Sequence, residues 1–422
     1  MKNVLFFGIL GLCLLNFIRM LAYLLSSDVY SISQMRRNKQ RKRWYLPTVS
    51  VIIPAHNEQF TIERCVRSVY ESNYPAAKLE IIVANDGSTD KTREVVEKFK
   101  RSHEGGPKIR LINRPNRGKA TVLNYAMRRC ARHQLVMCLD SDSALTPQSL
   151  RNAAQHFRNR DVIALSSNVN IIEDGTVLTL LQRFEYIICY QMKRGQAQMG
   201  LEYIVGGIGS MFRRRTLKQV SFYDTNTMTE DIDLTMKILV NKTRHQKLAY
   251  AADSIVHTEA AHSVRELMTQ RFRWKYGRSQ TFLKQSSYFF SRSERYAKRL
   301  TWFMLPLSLL QDAIFLFEPV VISYFLYIMI RYDDLTIFLS ALTVITIYLL
   351  CNVWATDHLS IRQRLRLTWY APPMYILMYV LSFAEYYALI KSLVLLPNLK
   401  RSIKKRHITW NSPARRLAKQ PA

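Results

Sequence analysis

The amino-acid sequence predicts an α/β protein, in which a mostly parallel sheet is flanked by helices and the chain carries transmembrane helices near both ends. Between residues 49 and 139, apolar runs of strand length alternate with helically spaced segments, and acidic clusters follow two of those runs. Long apolar segments lie at 4–25 and beyond residue 299. Alternating strands and helices build parallel sheets, and 422 residues exceed one ordinary domain.

The predicted sheet begins with alternating strands and helices. Strands are predicted over 49–54, 80–84, 110–113 and 135–139, and helices over 58–70, 88–100 and 118–132. Residues 150–298 are less regular, with helices predicted over 178–192, 234–239 and 263–283. Ligands of open α/β sheets bind outside the carboxyl ends of the strands, so the acidic clusters at those ends are expected to lie at a binding site.

Basic residues flank the apolar segments. Six Lys or Arg residues fall between 36 and 43, and eight more lie between 400 and 419. Because such clusters mark the cytoplasmic side of a membrane, we expect a transmembrane anchor over 1–28, a cytoplasmic domain with interfacial helices over 45–298, a transmembrane region over 299–397 and a basic cytoplasmic tail over 398–422. We therefore expect the chain to be a multi-pass protein of the plasma membrane. The number of C-terminal spans stays open, because three full spans would place the basic tail outside.

The charge balance narrows the classes of partner. The chain has 61 Lys and Arg against 31 Asp and Glu, a net charge of +30. This excess suits nucleic acid, an anionic membrane face or a phosphorylated substrate. The clusters lie beside apolar segments and no nucleic-acid-binding module is recognised, so we expect a lipid bilayer and no nucleic acid. The six cysteines are scattered without a Cys-x-x-Cys pair, which argues against a disulfide framework or a zinc site.

A pair of aspartates is the candidate metal site. Asp140 and Asp142 follow the strand predicted at 135–139. Two carboxylates so placed can share Mg²⁺ or Mn²⁺, which neutralises a substrate diphosphate. An isolated Asp-x-Asp is more often a solvated turn, and its position at the end of an apolar strand favours the metal site.

Asp86 ends the second predicted strand. An aspartate at this point can accept a hydrogen bond from the N–H of a nucleotide base. The alternative is a plain turn, in which Gly87 takes a positive φ.

Glu230 and Asp231 open the helix that follows residue 229. Acids in a first turn are ordinary partners of the helix dipole, with Thr229 as a cap. The alternative is catalytic: a carboxylate that takes the proton from an attacking hydroxyl.

The motif from Gln270 to Trp274 places Gln270 and Arg273 on one helical face, with Trp274 beside them. Arg suits bidentate contact with a diphosphate, and Trp suits stacking on a sugar ring. The alternative is a basic helix lying under a membrane with a Trp anchor.

Several further residues are weaker candidates. Lys119 could lie near phosphates, although a loop lysine is more often solvated. His56 lacks metal-ligand spacing and is predicted to be structural. Asp312 and Glu318 are acids within apolar segments, which makes them candidates for lining a path for a polar substrate, and a position at the membrane interface is an equal alternative.

The order of the motifs resembles the inverting, processive members of glycosyltransferase family 2, over residues 48–285. The motifs that carry the resemblance are Val51-Ile-Ile-Pro-Ala-His-Asn-Glu58, Ala84-Asn-Asp-Gly-Ser-Thr-Asp90, Asn116-Arg-Gly-Lys-Ala120, Leu139-Asp-Ser-Asp142, Thr229-Glu-Asp231 and Gln270-Arg-Phe-Arg-Trp274. Within that family, the stretch 227–237 and the tail at 410–413 look most like those of the poly-β-1,6-N-acetylglucosamine synthases.

The resemblance implies a GT-A fold, a UDP-sugar donor and a glycan acceptor, with a small membrane partner subunit left open. It implies transfer of a sugar, N-acetylglucosamine, to a growing β-linked polysaccharide, with Asp231 as the base and Glu230 beside it. For the nucleotide, the implied binding residues are Pro54, Glu58 and Asp86. Asp140 and Asp142 are implied to hold ribose, diphosphate and metal. In the motif of processive members, which also contains Gln270, Arg273 is implied to contact the diphosphate and Trp274 the acceptor. The first acidic cluster reads Asn-Asp where Asp-Asp is commoner, so no role follows for Asn85.

Two other functions stay open. One is a non-processive membrane glycosyltransferase that acts on a lipid or protein acceptor. The other is a non-catalytic membrane scaffold, against which the intact acidic motifs argue.

Overall fold

The computed structural model describes residues 2–39, 44–333 and 335–399. An eight-stranded sheet lies at its centre. The strands are β1 (Val49–Ala55), β2 (Leu79–Asp86), β3 (Lys108–Arg114), β4 (Leu135–Cys138), β5 (Ala144–Leu145), β6 (Val162–Ile171), β7 (Ser210–Arg213) and β8 (Lys247–Thr258). The strand order across the sheet is β3-β2-β1-β4-β7-β6-β8-β5.

The helices pack on both faces of the sheet and continue beyond it. They are α1 (Lys2–Lys39), α2 (Ile62–Tyr70), α3 (Thr92–Ser102), α4 (Lys119–Tyr125), α5 (Ser149–His156), α6 (Val177–Met199), α7 (Arg214–Gln219), α8 (Glu230–Asn241), α9 (Val264–Lys284), α10 (Leu305–Phe315), α11 (Glu318–Tyr332), α12 (Thr336–Trp354) and α13 (Ile361–Val394).

The prediction of a mostly parallel sheet is confirmed for β1 to β4, whereas the other half is mixed: β6 and β8 pair in parallel, and β5 runs antiparallel to β8. Strands β1 to β4 pair in parallel, as the alternating pattern indicated. Strand β7 enters between β4 and β6 and runs antiparallel to both, so the sheet is mixed. The chain turns into β7 at Gly209, which has a φ of +64° and where a side chain would collide with Val256. A turn of this kind needs glycine.

Both faces of the sheet are buried, which explains why its strands are continuously apolar. In β1, Val51 and Ile53 point to one face, against α2, α3 and α5, while Ile52 points to the other. Helices α4, α7 and α8 cover that second face. Successive side chains alternate across a strand, and helices cover both faces of the sheet. Every position of β1 and β2 is therefore buried.

The N-terminal helix reaches back to the sheet domain. Tyr23, Ser27 and Tyr30 share one face of α1 and are buried. The Ser27 hydroxyl donates to Gln191 Oε1 at 2.8 Å, and the Tyr30 hydroxyl donates to the carbonyl of Tyr250 at 2.7 Å. This end of α1 therefore packs on α6 and β8.

One helix among the described residues, Ile361–Val394, is long and apolar enough to cross a membrane. The stretches Arg299–Phe315 and Glu318–Tyr332 qualify only as a pair bent by 46°. The bend comes where Pro319, which has no N–H to donate, stands near the start of α11. The anchor over 1–28 and the multi-pass topology stay predictions, and residues 400–422 of the basic tail lie outside the described residues.

Candidate active site

A cavity of about 900 Å³ opens at the edge of the sheet where β1, β2 and β4 end. All the residues that the sequence singled out as site candidates line it: Pro54, Glu58, Asp86, Lys119, Asp140, Asp142, Glu230, Asp231, Gln270, Arg273 and Trp274. Residues from three strand ends and three helices, α4, α8 and α9, thus meet in one place. Their individual roles remain predictions.

Asp231 lies in the first turn of α8, with its carboxylate held by two backbone N–H groups. Gly207 donates to Oδ2 at 2.8 Å, and Ile232 donates to Oδ1 at 2.9 Å. Burial raises the pKa of Asp231 to about 6, and the Glu230 carboxylate adds to the rise, while Lys119 opposes it. A carboxylate with a pKa near the working pH and a fixed orientation is suited to general-base catalysis.

The capping alternative for this motif is weakened by the structure. Thr229 stands at the N-cap of α8, yet its side chain makes no capping hydrogen bond. Its hydroxyl instead lies against Gly277 of α9, where an added Cβ would come within 2.4 Å of Thr229 Oγ1. Thr229 therefore joins two helices that line the cavity.

Lys119 bridges the two acidic motifs. Its ammonium lies 2.7 Å from Asp140 Oδ1 and 3.3 Å from Glu230 Oε1. Burial alone would lower the pKa of Lys119, but the two carboxylates outweigh it and raise the pKa above its usual value. The lysine is therefore charged and fixed in the cavity rather than solvated in a loop.

Asp142 is anchored by hydroxyl groups. Its Oδ1 accepts hydrogen bonds from Ser143 Oγ at 3.0 Å and from Thr258 Oγ1 at 3.4 Å. The two hydroxyls also contact each other at 3.0 Å. Thr258 ends β8, so a strand far along the chain helps to orient the aspartate.

The donor set suits a hard divalent cation. Mg²⁺ typically takes one or two protein carboxylates and completes its shell with water and phosphate oxygens. Asp140 and Asp142 supply that number, and Asp140 already faces the ammonium of Lys119, a positive group. Among the described residues, no group of three or more acidic, His or Cys side chains is placed to hold a metal ion. The residues thus fit Mg²⁺ or Mn²⁺ shared with a diphosphate, rather than a cation enclosed by protein alone.

Asp86 and Glu58 are oriented at the rim of the first two strands. Asp86 Oδ1 accepts from the backbone N–H of Arg117 at 3.0 Å. Glu58 Oε2 accepts from Thr61 Oγ1 at 2.8 Å, and the Glu58 carbonyl accepts from the N–H of Ile62 at the start of α2. Glu58 therefore also stabilises a helix N-terminus. The histidine predicted to be structural, His56, lines the cavity and contacts the Asp86 carbonyl at 2.8 Å.

The motif on α9 includes a residue that the sequence reasoning passed over. Arg271 is buried and its guanidinium carbon lies 4.6 Å from the centre of the Trp274 ring. Its Nη2 lies 2.6 Å from Glu185 Oε2 of α6. Its Nη1 lies 3.4 Å from Glu385 Oε1 of α13. Arg271, Lys275 and Arg278 are spaced by four and three residues, a pattern that places them on one face of α9. Only the tertiary structure shows which acids neutralise these charges.

Asp312 and Glu318 were the two acids predicted to line a substrate path. The structure brings Asp312 to helix α9. Asp312 Oδ1 lies 3.1 Å from Lys275 Nζ, and its Oδ2 pairs with Arg278. Neither Asp312 nor Glu318 is among the residues that line the cavity.

Comparison with known proteins finds one matching family. Residues 50–221 match the family described as glycosyl transferase family 2. This segment of the chain is therefore similar to glycosyl transferase family 2. The matched segment contains the candidate donor and metal residues from Pro54 to Asp142, whereas Asp231 and the α9 motif lie beyond it.

The curated proteins that this chain resembles are distant relatives. The chain is 29% identical over 239 residues to a poly-beta-1,6-N-acetyl-D-glucosamine synthase of Staphylococcus epidermidis, covering 56% of each chain. It is 28% identical over 291 residues to the protein of that name from Staphylococcus aureus, covering 68% of this chain and 64% of the relative. The chain thus matches less than two thirds of the length of either relative.

A solved structure is similar over nearly the whole chain. It is a mannosyltransferase from Pyrobaculum calidifontis in complex with GDP-Man and Mn²⁺. The TM-score is 0.56 and the sequence identity 21%, over 92% of this chain and 97% of the other. At this identity the similarity shows a common fold, the GT-A-like arrangement of a mixed sheet flanked by helices.

Proposed function

We propose that this protein is a membrane-bound inverting glycosyltransferase. It transfers a sugar, N-acetylglucosamine, from a UDP-sugar to a growing β-linked polysaccharide. The observation that carries the proposal is Asp231, a carboxylate held by two backbone N–H groups with its pKa raised to about 6. It lines the same cavity as the Asp140 and Asp142 pair.

The proposed reaction needs one base and one leaving group. The acceptor hydroxyl gives its proton to the Asp231 carboxylate while its oxygen forms a bond to the anomeric carbon. The bond between that carbon and the diphosphate breaks, and UDP leaves from the opposite side, so the configuration inverts. General-base assistance of this kind contributes roughly 10²–10⁴-fold to the rate.

Positive charge is provided for the diphosphate. Lys119 and Arg273 line the cavity, and the charges of both act on Asp231. Arg offers planar, paired donors to phosphate oxygens. Asp140 and Asp142 would hold Mg²⁺ or Mn²⁺, which when bound supplies Lewis-acid stabilisation of the diphosphate charge.

The donor and acceptor ends of the cavity differ in chemistry. At the end of β2, Asp86 has its carboxylate oriented by Arg117 and is proposed to accept the N–H of uracil, with Pro54 and Glu58 beside it. On α9, Trp274 offers an indole face to an acceptor sugar, with Gln270 nearby in the motif. The names of the staphylococcal relatives support N-acetylglucosamine and a polymeric product.

The proposed setting is the plasma membrane, with residues 45–298 in the cytoplasm. Helix α13 supports it by length and apolar composition. The basic residues after the first apolar segment support the same orientation. A small membrane subunit could join the apolar helices.

The decisive experiment measures UDP release by detergent-purified full-length protein. UDP-N-acetylglucosamine and UDP-glucose are offered separately, with Mg²⁺ or Mn²⁺ or with a chelator, and products are sized on a gel. Metal-dependent turnover of UDP-N-acetylglucosamine with a ladder of products is the expected result. A single-sugar product would favour the non-processive function on a lipid or protein acceptor. No turnover of either donor would count against the proposal.

A further inference from the structure

Glu385 of α13 lies between two cations of α9. Its Oε1 is 3.4 Å from Arg271 Nη1, and its Oε2 is 3.2 Å from Lys275 Nζ. Arg271 and Lys275 are one helical turn apart, a spacing at which like charges repel. The glutamate separates them, and its side chain, 28% exposed, lines the cavity.

Arg271 is confined on several sides. The side chain is 6% exposed, and Glu185 and Glu385 face its guanidinium nitrogens while the Trp274 ring lies 4.6 Å from its Cζ. Burial lowers the pKa of Arg271, and the two glutamates outweigh it, so the group stays charged. An arginine with two carboxylates and an aromatic ring has little freedom to rotate.

Helix α13 approaches α9 closely at this point. Ala384 and Ala388, on either side of Glu385, are fully buried and have side chains small enough for close packing. One turn further on, Lys391 Nζ lies 4.5 Å from the centre of the Phe272 ring of α9. The position of α13 is therefore transmitted to the α9 motif through defined contacts rather than through loose apolar packing.

We infer that Glu385 is a positioning residue, which holds Arg271 against the indole of Trp274 and so sets the acceptor end of the cavity. The inference rests on the proposed function in its reference to an acceptor. If Glu385 has this role, helix α13 is a determinant of acceptor recognition. Among the described helices, α13 is the one that by itself has the length and composition of a membrane span. Donor recognition, at the ends of β1, β2 and β4, does not involve this contact.

The first test compares Glu385→Gln with Asp333→Asn. Both changes remove one carboxylate from the C-terminal part of the chain, but Asp333 is exposed and does not line the cavity. For Glu385→Gln we expect the KM for N-acetylglucosamine oligomers to rise about tenfold, with the KM for UDP-N-acetylglucosamine unchanged. The Asp333→Asn variant should leave both constants unchanged. An equal change in both KM values for Glu385→Gln, or no change in either, would overturn the inference.

The second test does not depend on turnover. Tryptophan emission is recorded for the wild type and Glu385→Gln, each with and without Trp274→Phe, and the differences isolate the emission of Trp274. The inference predicts that Glu385→Gln alters this emission, because the guanidinium over the ring is released. Unaltered Trp274 emission would overturn it, even if the protein proved to be an active transferase.

The two proposals therefore fail separately. A wild type that transfers no sugar contradicts the proposed function, and the fluorescence comparison still decides the positioning role. If Glu385→Gln does not accumulate as folded protein, Arg271→Lys provides the same comparison, since it keeps the charge and loses the planar group that stacks on Trp274. Its expected result is the same rise in acceptor KM and the same change in emission, and their absence contradicts the inference.

Discussion

The carboxylate of Asp231 is joined to the backbone of Gly207, whose N–H donates to Oδ2 at 2.8 Å. The contact ties the first turn of α8 to the glycine-containing turn before β7. A Cβ on Gly207 would lie 3.6 Å from both Asp231 Oδ2 and Lys119 Nζ. The candidate base is thus positioned by backbone from a distant part of the chain, and its properties lead to specific expectations.

Asp231→Asn should reduce sugar transfer by roughly 10²–10⁴-fold and leave UDP binding intact, because the amide cannot accept the acceptor proton. The rate is measured by UDP release and the affinity for UDP by calorimetry. Asp161→Asn is the matched control, since Asp161 is exposed and does not line the cavity. Loss of UDP binding in Asp231→Asn would assign this residue to binding rather than to catalysis.

The rate should depend on pH through Asp231. Burial raises its pKa to about 6, and a base works in its deprotonated form. Therefore kcat/KM should fall as the pH drops through about 6 and level off above it. A pH–rate profile between pH 4.5 and 8 measures the midpoint. A midpoint near the ordinary aspartate value of about 4 would contradict the assignment.

Lys119→Met should move that midpoint upwards. Lys119 lowers the pKa of Asp231, whereas burial and Glu230 raise it. Removal of Lys119 should therefore raise the pKa of Asp231 further. The same profile on the variant measures the shift, separately from any loss of donor affinity. A midpoint that moves down, or one that stays in place, would show that the titrating group is not Asp231.

Activity should require a divalent cation held by Asp142. Chelation should abolish transfer, and Mg²⁺ or Mn²⁺ should restore it. Ser143→Ala removes a hydroxyl that donates to Asp142 at 3.0 Å, and loss of such a supporting contact typically costs about 10–100-fold in apparent metal affinity. Mn²⁺ titration of UDP release measures this, with Ser102→Ala at the exposed end of α3 as the control. Equal Mn²⁺ requirements in the two variants would argue against the site.

Gly277→Ala should destabilise the protein. A Cβ at this position would come 2.4 Å from Thr229 Oγ1 and 2.9 Å from Thr229 N, so α9 or α8 must shift. Overpacking of this kind costs about 1–3 kcal/mol, against a gain of up to about 1 kcal/mol from helix propensity. Thermal unfolding measures the change, and Gly206→Ala, with no atom within 4 Å of the added Cβ, should unfold as the wild type does.

Much of the candidate site could be predicted from local sequence patterns. Asp86, Asp140 and Asp142 each follow an apolar run, and the parallel pairing of β1, β2 and β4 brings such strand ends to one edge. The alternation that predicts the strands also predicts their direction. The candidate residues are therefore found together without knowledge of any side-chain contact.

The mixed half of the sheet could not be predicted in this way. The short strand β7 has four residues, and β5 has two. Segments of that length carry no periodicity that distinguishes one direction from the other. Their direction depends on the turn at Gly209 and on pairing with β4, β6 and β8.

The sequence by itself determined the α/β class, the family resemblance and the candidate site residues from Pro54 to Trp274, because each is encoded in spacings of a few residues. Only the tertiary structure decided how those residues act on one another: Gly207 on Asp231, Lys119 between two acidic motifs, and Glu385 between two cations of α9. The reason is physical. Burial and charge pairing depend on distances between groups far apart in the chain, and together with the neighbouring Glu230 they set the pKa of the base.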